Sequence, residues 1–259
     1  MCLALTLPDS LPLAAMDIPT GNLDTIRQRV YAQLEALTLS GEMPVADSNN
    51  DLAMLTEAFG QLLDVMARVE ADQQATGNTD AGDATELGEY ALQLHASLAT
   101  LASRSGQDDY RNAIAALAVE LALWIAAHGG KIDSLEPVVD GLAIIANSNM
   151  DPAELLALSD VMGRISDAVA PLIREDLERI NPGRPWRVLL LNRGIVATRS
   201  HSPDIMEAAF AVLIKYLPED AARFFTEGME QMEALNYPPQ VRKVMEKYYR
   251  QWTVNRSLH

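Results

Sequence analysis

One cysteine, Cys2, is all the chain has, which excludes an internal disulfide, and its place beside the start of the chain makes it a poor catalytic nucleophile. A reducing compartment is thereby permitted, and the cytoplasm is the expected location. Aromatic residues are scarce, at 5%, so the core has to be largely aliphatic; the 49% apolar content, rich in Ala and Leu, is what packed helices require. No basic residue precedes Arg27, and Pro8, Asp9 and Pro12 interrupt the apolar start. MCLALTLPDSLPLAAM therefore reads as an extended arm of the mature protein and not as a secretion signal. A membrane-spanning run is missing too. Ala113–Ala127 is the longest apolar stretch, and with 15 residues including Glu120 it falls short of the roughly 18–20 that cross a bilayer. It is expected to be a core helix of a soluble protein.

Basic charge is short in one half only. Of a formal net charge of −16, residues 1–150 hold six basic and 21 acidic side chains, whereas 151–259 hold 14 and 15. The acidic half should repel nucleic acid and anionic lipid, so neither a nucleic-acid nor a membrane partner is expected. The reverse shortage occurs over Ile180–Pro203, INPGRPWRVLLLNRGIVATRSHSP, which has no acid and carries Arg184, Arg187, Arg193 and Arg199. Guanidinium forks pair bidentately with planar anions, so these arginines, with His201, are the candidate ligand- or partner-binding residues. Geometry opposes one basic face, because Arg187, Arg193 and Arg199 point roughly 120° apart on a continuous helix and converge only if the backbone breaks near Gly194. The competing reading is a buried helix built on Trp186, Val188, Leu189, Leu190, Leu191, Ile195 and Val196, whose arginines reach carboxylates elsewhere in the chain.

Apolar residues recur at three- and four-residue steps almost throughout. Leu23, Ile26, Val30, Leu34 and Leu37 draw a first helix up to Gly41, and a loop with Pro44, Asp47, Ser48 and Asn49 leads to a second over Leu52–Val69. Ala75–Thr85 is small, polar and acidic, the best linker in the chain. The expected organisation is an arm and helical hairpin over 1–74, an acidic linker over 75–85 and a main helical domain over 86–259. Helices then follow over residues 87–104, 108–127 and 134–146. Asp151, Pro152 and Glu154 form a start signal at N-cap, N1 and N3 of the next. Pro171 kinks or ends that helix, and Asn181–Pro182–Gly183 breaks the chain before the arginine-bearing one. Ser202–Pro203, Pro218 and Pro238–Pro239 open the last three. No period-two strand competes except the short Val188–Leu191, so the fold is expected to be all-α, an array of about nine or ten antiparallel helices.

Residues 144–158, IIANSNMDPAELLAL, lie over 195–209, IVATRSHSPDIMEAA, at an offset of 51, with Ile144/Ile195, Ala146/Ala197, Pro152/Pro203 and Ala157/Ala208 identical. With its succession of helix pairs, the chain over 85–252 resembles tetratricopeptide-type helical repeats. That family's repeat is shorter than 51, and of its Trp/Leu-Gly/Tyr/Ala/Phe/Pro signature only scattered Ala and helix-ending Pro occur here, so no binding residue carries over. The resemblance implies a groove that binds partner peptides.

The motifs of chemistry are missing. His95, His128, His201 and His259 stand in no HExxH or Glu-x-x-His pattern, and there is no CxxC, so no metal and no cofactor is expected. His95 reads as a boundary residue beside the Leu94/Leu98 stripe, and His128 suits the negative end of a helix dipole. Ser200, His201, Ser202 and Asp204 have the residue types of a triad, but sequence neighbours rarely face one another and no GxSxG elbow precedes them. No GxxxxGK[ST] or GxGxxG loop exists, and the acidic pairs Asp108–Asp109 and Glu219–Asp220 fit helix starts. Lys243, Lys247 and Arg250 share a face of the last helix near Tyr248, Tyr249 and Trp252, which are expected to close the end of the core. The leading expectation is therefore a non-enzymatic interaction or adaptor protein with a protein partner, homo-oligomerisation staying open. The alternative is a binder of, or enzyme acting on, a small anionic ligand through Arg187, Arg193 and Arg199.

Overall fold

The predicted stripe Leu23, Ile26, Val30, Leu34 and Leu37 is buried as one face of α1 (Leu23–Leu39). A computed structural model describes residues 16–39, 46–77, 80–104, 109–149 and 151–254. The arm over residues 1–15 with Cys2, and also Gly41, Pro44, the Ser105–Gly106 stop, Asp108, Arg256 and His259, lie outside the described residues. Within them the chain is all-α. After α1 come α2 (Ala46–Thr76), α3 (Ala81–Arg104), α4 (Asp109–Ala127), α5 (Glu136–Ser148), α6 (Pro152–Ala168), α7 (Pro171–Arg174), α8 (Pro185–Arg199), α9 (Pro203–Tyr216), α10 (Pro218–Ala234) and α11 (Pro239–Tyr249), with a π-helical turn over Arg250–Val254. Among the described residues the only β pairing is the isolated bridge of Ile132 with Val169. No helix among them is long and apolar enough to cross a membrane.

The chain divides into two compact units, Met1–Ser148 with Asp167–Ala170, and Asn149–Ser166 with Pro171–His259. The break falls at 148/149. The stretch expected to be a linker, 75–85, instead contains the end of α2 and the start of α3, and both of those helices belong to the first unit. Its small residues are compatible with helix ends: Asp80 caps α3 by accepting the Gly82 N–H at 2.7 Å. The expected loop over 42–50 is likewise shorter, because Asp47, Ser48 and Asn49 lie in the first turn of α2.

In the first unit α4 packs against α1, α3 and α5, as its all-round apolar sequence predicts, with Leu117, Leu121 and Trp124 almost wholly buried. Its one charged residue within the run, Glu120, is 1% exposed. The carboxylate accepts the backbone N–H groups of Thr20 at 3.0 Å and Gly21 at 2.6 Å, with Arg29 3.5 Å away, so a buried charge anchors the entry to α1. Only glycine fits at position 21, whose φ is +75° and whose Cβ would lie 2.7 Å from that of Leu123.

In the second unit α8 packs on α9, and α9, α10 and α11 pack on one another. Phe210, Phe224, Phe225 and Tyr248 form its aromatic centre, with ring centroids 5.1–5.7 Å apart. The resemblance at offset 51 is confined to two helix–Pro–helix junctions: α5 packs chiefly against α4, whereas α8 packs against α9. A tetratricopeptide repeat does not follow from that packing.

Candidate functional site

The acid-free stretch forms α8, an unbroken helix with Pro185 in its first turn, and Gly194 does not interrupt it. Gly194 is there for packing: a Cβ would stand 2.7 Å from Cζ of Phe224. Trp186, Leu189, Leu190, Leu191 and Val196 are buried, while Val188 and Ile195 are half-buried. On this straight helix the three arginines face three different neighbours. Arg187 reaches Asp220 of α10, Arg193 lies over Gly163 of α6, and Arg199 donates to the Asn149 carbonyl oxygen at 2.9 Å.

Arg184, just before α8, is 4% exposed and forks onto Asp176, Nε to Oδ1 and Nη2 to Oδ2, the latter at 2.7 Å. Its Nη1 donates to the carbonyl oxygens of Arg179 at 3.3 Å and Asn181 at 3.2 Å, and Nη2 lies 3.5 Å from Glu219. The bond to Asp176, above all, raises the pKa of this guanidinium, so it stays charged. Arg187 grips Asp220 with Nε at 2.9 and 3.0 Å and Nη2 at 2.5 Å, and its Nη1 donates to the Pro182 carbonyl oxygen at 2.8 Å. Two arginines thus hold three carbonyls of the 176–184 loop, those of Arg179, Asn181 and Pro182, and three acids, Asp176, Glu219 and Asp220. Asp176 adopts a left-handed conformation, φ 53°, that turns its carboxylate inward.

That scaffold leaves three large apolar side chains outside, among exposed Glu175, Glu178 and Arg179. Leu172 is 68% exposed, Leu177 75% and Ile180 99%, all within the segment from α7 to α8. A cleft of about 430 Å³ beside it carries Arg179, Arg184 and Arg187 together with Glu219 and Asp220. With Asp176 behind Arg184, the cleft has no excess of positive charge for an anion to meet.

The other predicted residues are dispersed. Burial lowers the Arg199 pKa, an effect that nearby Tyr237 opposes. Its neighbour in sequence, His201, takes a left-handed φ of 59° just beyond α8 and stands edge-on to Tyr237, 5.4 Å between centroids. Ser200 donates its hydroxyl to the Ala197 carbonyl oxygen at 2.7 Å, and Ser202, at the N-cap position of α9, makes no side-chain cap bond. Lys247 pairs with Glu207 at 2.8 Å and Arg250 with Glu246, while Tyr248 stacks on Phe225. In the first unit His128 stacks on Trp124 at 4.3 Å, and His95 is buried against the Ile114 carbonyl oxygen.

Sequence reasoning passed over the exposed leucines and isoleucine of 172–180. In PLIREDLERI the apolar residues at 173, 177 and 180 have the i, i+4, i+7 spacing of a buried helical face, which hides their exposure, because the helix stops at Arg174. No family model, curated protein or solved structure matches this chain, so the chemistry of these residues is the ground on which a function has to be argued.

Proposed function

We propose that the chain is a non-enzymatic, cytoplasmic interaction protein whose protein partner docks on the apolar side chains Leu172, Leu177 and Ile180. The observation that carries the reading is the combination of exposure with order. Three large aliphatic side chains stand in water on a segment held by the Asp176–Arg184 fork and by the carbonyl contacts of Arg184 and Arg187. A folded chain gains nothing from displaying them, whereas a partner that covers them removes their apolar surface from water. Because the loop is already ordered, binding loses little conformational entropy. Arg174, Glu175, Glu178 and Arg179, interleaved with the apolar residues, supply the polar rim such surfaces have.

The test compares the parent with Leu172→Ser/Leu177→Ser/Ile180→Ser. These positions are exposed, so the melting temperature should hold. Proteins retained by the parent from an extract of the source organism are purified and their affinities for both forms measured by calorimetry, with self-association followed by sedimentation. Losing three aliphatic contacts of roughly 1.5–3 kcal/mol each should weaken a true partner by at least about 100-fold. Partners bound equally by both forms would refute this surface.

A further inference from the structure

The segment that exposes Leu172, Leu177 and Ile180 also carries Arg174, Glu175, Glu178 and Arg179, two charges of each sign beside the apolar side chains. Glu175, Glu178 and Arg179 are exposed, and none of them makes an ion pair or a side-chain hydrogen bond among the described residues. Arg179 also lines the neighbouring cleft, but the acids there are held by other arginines, Glu219 by Arg184 and Asp220 by Arg187. Charges of both signs therefore stand open on the same surface as the aliphatic side chains.

The partner that fits follows from those signs. A uniformly basic surface would bring like charge against Arg179, and a uniformly acidic one would bring it against Glu175 and Glu178, which is costly once the apolar side chains exclude water. A surface of mixed sign is matched by one that offers the opposite sign at each place. A second copy related by a twofold axis does so, because residue i of one copy meets residue j of the other and j meets i. Order in the chain singles out the pair. Glu175 stands two residues before Leu177 and Arg179 two after it, so an axis at Leu177 brings this leucine to its own copy and sets Glu175 of each copy against Arg179 of the other.

We propose that the partner of the 172–180 surface is a second copy of this chain, in a twofold dimer with Leu177 at its centre, Leu172 and Ile180 beside it and two Glu175–Arg179 pairs across it. The inference rests on the docking surface argued above and names what covers it. Arg184 and Arg187 hold the segment in the same conformation in each copy, so the two surfaces meet without reordering. Three aliphatic side chains per copy make a small interface, and the dimer is accordingly reversible.

Sedimentation of the full chain over about 1 to 500 µM should show a monomer–dimer equilibrium that Leu172→Ser/Leu177→Ser/Ile180→Ser shifts to monomer. Glu175→Arg sets an arginine against Arg179 on both sides of the axis, and Arg179→Glu sets a glutamate against Glu175, so each variant alone should weaken the dimer by about tenfold or more. Mixed in equal amounts, these two variants should associate again with the parent's affinity. In the mixed pair the introduced arginine meets the introduced glutamate, and the native Arg179 of one meets the native Glu175 of the other. All the altered positions are exposed, so circular dichroism should not change. A parent that stays monomeric throughout the range overturns the second copy as partner, and the docking surface is then judged separately, by whether partners from the extract lose affinity for the triple serine variant. A dimer that the triple serine variant leaves intact, or a mixture no tighter than either charge variant alone, overturns the proposal as well.

Discussion

His95 shows how one side chain ties stability to pH. Its pKa lies below the ordinary 6.5, because burial outweighs the opposite effect of the Ile114 carbonyl. As pH falls below 6.5 the unfolded chain takes up a proton at this ring and the folded chain does not. The folded state therefore loses stability, by up to about 1.4 kcal/mol per pH unit, until pH reaches the lowered folded value. Denaturant unfolding at pH 7.5 and 5.5 should show the parent losing more stability than His95→Gln, and equal losses would contradict the buried neutral ring. The residue's position beside the Leu94/Leu98 stripe was readable in advance. Its unsatisfied nitrogen was not, because only packing seals Nδ1 from water without a partner among the described residues.

At the scale of elements, α4 carries the first unit. Leu117 is fully buried, and Leu117→Ala should cost about 2–5 kcal/mol in denaturant unfolding; a loss under about 1 kcal/mol would contradict the central place of this helix. The all-round apolar run over 113–127 was enough to anticipate that place. Prolines at 152, 203, 218 and 239 announced the starts of α6, α9, α10 and α11, because proline in a first helical turn is a local signal. The start of α2 was less legible for the same local reason in reverse: Asp47, Ser48 and Asn49 suit a loop as well as a first helical turn. Glu120 was visible as an interruption, but its partners Thr20 and Gly21 are about a hundred residues away and only folding brings them to it.

For the whole molecule, two arginines of the acid-free stretch, Arg184 and Arg187, meet the chain's own acids. Arg184 takes Asp176 and Glu219, and Arg187 takes Asp220. That carboxylates elsewhere would meet these arginines was foreseeable from an acid-free helix in an acidic protein; which ones was not, since Glu219 and Asp220 lie 35 and 33 residues away. The account holds that these pairs are a scaffold for the exposed 172–180 segment and not an empty anion site. Thermal and denaturant unfolding of the parent, Arg184→Met and Arg187→Met, each with and without millimolar phosphate, tests this most directly. Removing Arg184 strands a buried carboxylate, so that variant should lose about 3–5 kcal/mol, Arg187→Met should be destabilised as well, and phosphate should have no saturable effect on the parent. Variants of unchanged stability, together with a saturable phosphate-induced rise in the parent's melting temperature that the substitutions abolish, would contradict it.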